Sequence, residues 1–101
     1  MGRKDQFEAL EAEFAREKAH SLSRIAARME MALAELRAFD GADEATRAGA
    51  SREELLVTAA EWVWYYVVQR DILGWHRHEE ALRFYQVPAE VLARMGPRPR
   101  R

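Results

Sequence analysis

Residues 5–39 contain neither glycine nor proline, and alanine, glutamate and arginine dominate them. No other feature constrains the fold as strongly, because such a run predicts one unbroken helix. At about 100° per residue, Phe7, Phe14, Leu22, Ile25, Met29, Leu33 and Leu36 fall on one stripe. Lys18 lies within that stripe, where its stem can pack while its ammonium reaches outward. The apolar spacing repeats nearer eleven residues than seven, which favours a near-straight helix pair over a left-handed supercoil. A helix of this length spans about 50 Å, more than a compact domain of this size covers with ease.

The run ends at Asp40-Gly41, and small and polar residues continue to Ala50, which reads as a loop. "SREE" at 51–54 then has the form of a capping box, so a second helix is expected from there to about Leu73, with Gly74 as its stop. One face of that helix carries Leu55, Leu56, Ala59, Trp62, Val63, Tyr66 and Leu73, and should pack on the first helix as a hairpin. The opposite face carries Val57, Trp64, Val68 and Ile72, with Tyr65 at its border and Glu61 as its polar member. A helix that is apolar all round needs cover all round. The remainder predicts two short helices, over 75–85 and around 88–95, with Pro88 in the first turn of the latter and Gly96 as its stop. The tail, 97–101, reads as a disordered basic segment.

Composition narrows the classes of function. The chain has 101 residues, a net charge of −1 and no cysteine. One domain over 1–96 is expected, and disulfides, thiolate catalysis and cysteine-based zinc sites are excluded. There is no field of one sign to attract nucleic acid or a membrane surface. The longest apolar run, residues 62–68, is far too short to span a bilayer. Without a leader or disulfides, a cytoplasmic location is expected.

The Trp/Tyr-rich helix ending in "VVQRDILG", followed by "YQVPAEVLARMG", resembles a group of small uncharacterised helical bacterial proteins. The resemblance covers about the second half of the chain. It implies a helical fold and no particular activity.

Several constellations could carry chemistry. "EKAH" at 17–20 has the Glu-x-x-His spacing of carboxylate-bridged metal bundles, but His20 falls about 160° from the apolar stripe and is expected in solvent. Asp71, His76, His78, Glu79 and Glu80 form the densest group of ligand-type residues. Asp71, His76, His78 and Glu80 are the metal candidates, although their spacing matches no specific motif. Arg70 falls on the inward face of the second helix and calls for an anionic partner. In an antiparallel hairpin Glu17 stands at its level, so a buried Arg70–Glu17 ion pair is expected. The short C-terminal helices could form a helix-turn-helix with Arg77, Arg83 and Arg94 on phosphates, but Glu79, Glu80 and Glu90 dilute that patch.

The combined reading is an all-α fold, a long antiparallel hairpin plus two short C-terminal helices, completing a four-helix bundle as a dimer. The leading function is a structural or protein-interaction module that homodimerises through Trp64, Val68, Ile72 and Val57. A metal- or small-ligand-binding domain using residues 71–80 is the alternative, and a nucleic-acid regulator comes third. No catalytic residue, cofactor or membrane partner is expected.

Overall fold

The computed structural model describes residues 2–47 and 49–96, so the expectation for the 97–101 tail lies outside the described residues. Four helices follow in order: α1 Arg3–Gly41, α2 Arg52–Ile72, α3 Glu79–Phe84 and α4 Ala89–Ala93. No strand occurs among the described residues. The molecule measures 65 × 31 × 22 Å, and its long axis is that of α1.

Local chemistry explains the helix ends. At the start of α2 the Ser51 hydroxyl accepts the Glu54 N–H at 3.3 Å. At its end, the Trp75 N–H donates to the Arg70 carbonyl at 2.9 Å and the Gly74 N–H to the Asp71 carbonyl at 3.0 Å. Gly74 has φ +87°. This is a Schellman stop, and glycine supplies its left-handed residue without a steric penalty. The same motif ends α3, where the Val87 N–H donates to the Leu82 carbonyl and the Gln86 N–H to the Arg83 carbonyl, both at 3.0 Å. There the left-handed position is Gln86, at φ 53°. α1 has no basic residue in its last turn. Arg47 in the following loop serves instead, donating to the Phe39 carbonyl at 2.7 Å and the Asp40 carbonyl at 3.0 Å.

α1 and α2 run antiparallel. Arg52 pairs with Asp40 at one end, and the Gln69 side chain reaches the Lys18 carbonyl at the other. The core joins Met29, Ala32, Leu33 and Leu36 of α1 to Leu56, Ala59, Ala60, Val63 and Tyr66 of α2. The chain then folds back along α2: the Tyr85 ring meets Tyr66 edge-on at 5.4 Å, and Val91 of α4 is fully buried in the same cluster. Each large aliphatic side chain buried this way contributes about 1.5–3 kcal/mol.

One expectation needs correction here. The third helix starts at Glu79, because residues 75–78 are irregular and are held by the side chains described below. The apolar stripe of α1, as its length implies, is not buried from end to end. Every residue from 3 to 20 is exposed, with Phe7 at 63%, Leu10 at 48% and Phe14 at 52%. The reason is length: α1 has 39 residues and α2 only 21, so α2 ends level with Lys18.

Candidate functional site

Where α2 gives way to α3, several polar side chains converge. The Schellman turn at Gly74 reverses the chain and brings residues 75–78 back beside the last turn of α2. Arg70 Nε donates to His78 Nδ1 at 3.1 Å, and Arg70 Nη2 donates to the Arg77 carbonyl at 2.8 Å. The guanidinium also lies 5.8 Å from the Tyr66 ring centroid and 5.4 Å from that of Trp75, within cation–π range. Because Nδ1 of His78 accepts from Arg70, its proton sits on Nε2. That nitrogen is 2.9 Å from Asp71 Oδ1, which His76 Nδ1 also approaches at 3.1 Å. The bonds from His76 and then His78 hold the Asp71 carboxyl below its ordinary range.

The cluster therefore unites Asp71, His76 and His78 among the metal candidates. Both histidines spend a ring nitrogen on one carboxylate oxygen, and His78 spends the other on Arg70. Among the described residues no group of three or more His, Cys, Asp or Glu is placed to hold a metal ion. Glu80 lines a shallow open depression with Arg70, Ala81, Arg83 and Phe84. No nucleophile with a partnered base stands in that depression. The arrangement is a clasp that fixes the α2–α3 link.

The expected Arg70–Glu17 pair is not formed. Its level was right, since Gln69 reaches Lys18, but Arg70 turns toward the returning C-terminal segment and finds acceptors there. Glu17 and His20 are exposed on the unpaired half of α1.

The cations of the helix-turn-helix reading do not converge either. Arg77 sits beside the end of α2, whereas Arg94 pairs with Glu53 at its start. Those positions on α2 are about 25 Å apart along the helix. A second polar group closes that end. Arg52 contacts Asp40 and Glu90, each at 2.7 Å, joining α1, α2 and α4. Hydrogen bonds from Arg52 are the main cause lowering both carboxyl pKa values. Sequence reading missed this node and Arg47, because loop geometry decides which carboxylates and carbonyls come within reach.

The interface residues read from the sequence lie on the outer side of α2. Val57, Trp64 and Val68 are half-buried, and Ile72 is 57% exposed. On another side, α1 and α2 leave an open groove lined by Ser21, Arg24, Ile25, Arg28, Trp62 and Gln69. Among the described residues no helix is long and apolar enough to cross a membrane.

Comparison with curated proteins and with solved structures gives no match. The likeness seen in the second half of the sequence extends much further: a family described as a family of unknown function (DUF6665) matches residues 3–101, and the chain belongs to it.

Proposed function

We propose that this protein is a structural or protein-interaction module that acts as a homodimer formed by helix packing. The observation that carries the reading is the bare apolar stripe on residues 3–17, continuous with the stripe that α2 covers further along α1. Helix in that segment is propagated from the packed half, so it needs no nucleus of its own. Its apolar side chains still face water, and a second copy removes them from it without any further component. The outer side of α2, with Val57, Trp64, Val68 and Ile72, supplies a second strip to such a contact.

Sedimentation equilibrium of the full chain tests the reading. A dimer is expected at tens of micromolar, and a single 11.7 kDa species would defeat it. Val68→Glu then asks whether the contact reaches the outer side of α2. A charge placed in a dry contact should dissociate the dimer, and an unchanged dimer would remove that strip from the interface.

A further inference from the structure

We propose that residues 3–17 form a docking arm, seated antiparallel in the open α1/α2 groove of a second copy of this chain. The proposal rests on the self-association reading and states where the two copies meet.

The arm and the groove lie on one side of the same helix. Leu10, Phe14, Ser21, Arg24, Arg28 and Met31 follow one another at intervals of three, four or seven residues, which places them along one strip of α1. α2 flanks this strip from Lys18 onward, and α3 lies on the other flank of α1, where Arg37 donates to the Tyr85 carbonyl. The groove is thus open to an incoming helix. It has apolar surface to offer: Trp62 lines it under the Arg28 guanidinium, 6.0 Å from the ring centroid, and Met31 beyond it is 59% exposed.

Charge selects the occupant and its direction. Residues 3–17 contain five carboxylates against two arginines and one lysine. Residues 18–31 contain two arginines and one lysine against one glutamate. The arm therefore carries a net negative charge and the segment that follows it a net positive one. A second copy laid antiparallel, with the twofold axis near residues 17–19, sets each acidic segment against the other's basic segment. A parallel copy in register would oppose like charges, which is costly. The antiparallel register brings Phe14 to Ser21 and Arg24 of the partner subunit, and Phe7 to Arg28 and Met31 of the partner subunit. Glu13 then approaches the two groove arginines, and Glu11 adds to the negative charge on the arm's other flank.

The contact is isologous, so it occurs twice. Each arm seats about 20 Å of a helix roughly 10 Å across, so one arm face and one groove face together hide on the order of 400 Å² per copy, the size of a weak, reversible association.

Charge exchange in the full chain provides the test. In sedimentation equilibrium at low salt, Glu11→Lys with Glu13→Lys should raise the dimer Kd at least ~10-fold, and so should Arg24→Glu with Arg28→Glu. An equimolar mixture of the two double variants should recover wild-type affinity within about threefold, because each arm then meets a groove of opposite sign. Circular dichroism checks that both retain their helix. Should the groove variant unfold, the arm variant decides alone, since its side chains are exposed on a segment of α1 that α2 does not cover. A wild-type dimer whose Kd ignores the exchanges, or a mixture that fails to recover, overturns the docking and leaves self-association standing. A wild-type monomer at tens of micromolar overturns both.

Discussion

The two halves of α1 carry the same amphipathic pattern and meet opposite fates. Met29, Leu33 and Leu36 are buried against α2, whereas Phe7, Leu10 and Phe14 face solvent. Nothing in their periodicity separates them. The difference is the reach of α2, which ends at the level of Lys18. An apolar stripe therefore states that a helix needs a partner, and the lengths of neighbouring elements decide whether its own chain supplies one.

The largest expected effect sharpens this contrast. Leu33→Ala should cost the single chain about 3–4 kcal/mol, read as a lower urea midpoint at high dilution. Phe14→Ala should cost less than about 0.5 kcal/mol by the same measure, because α2 ends near the level of Lys18 and does not cover Phe14. An equal loss for both would show the arm packed within one copy.

A smaller effect separates the two ends of the hairpin by charge. The carboxyls of Asp40 and Glu90 at the loop end, and of Asp71 at the other, have folded pKa values below their ordinary range. The unfolded chain then binds more protons, so their contribution is complete above about pH 5 and is lost as pH falls through the depressed folded values. The melting temperature should drop through that acid window. In Arg52→Ala the drop should be shallower, because Asp40 and Glu90 no longer titrate below their unfolded range; an identical acid profile would show that the Arg52 node contributes nothing. These groups are exposed, so raising the salt concentration should also weaken the wild-type contribution.

The smallest effect compares the two Schellman stops. Gly74 occupies its left-handed position freely, whereas Gln86 carries a side chain there. Gln86→Gly should raise stability by up to about 1 kcal/mol, and a lower melting temperature would show that the Gln86 side chain contributes more than its backbone strain costs.

Much of the fold was legible in the sequence. The glycine- and proline-free run, the break after Asp40-Gly41, Ser51 as a cap and Gly74 as a stop are local signals, and each appears at or within a few residues of its expected place. Two short helices after the hairpin were also legible, although the first begins later than expected. Family membership followed the same path, since the aromatic helix and "YQVPAEVLARMG" resemble a group of small helical bacterial proteins and the family match runs over residues 3–101. The candidate site was only partly legible. Asp71, His76 and His78 stood out as ligand-type residues, but their use as a clasp around Arg70 was not foreseeable.

By itself the sequence determined where helices start and stop and which stripes require cover, because capping, backbone propensity and periodicity act over a few residues. Only the tertiary structure decided what provides the cover. It turned Arg70 to His78 instead of Glu17, tied Arg52 to carboxylates on two other helices, and left residues 3–17 bare. Those outcomes depend on the length of α2 and the path of the chain beyond Gly74, and so on distances between residues far apart in sequence, which no local pattern encodes.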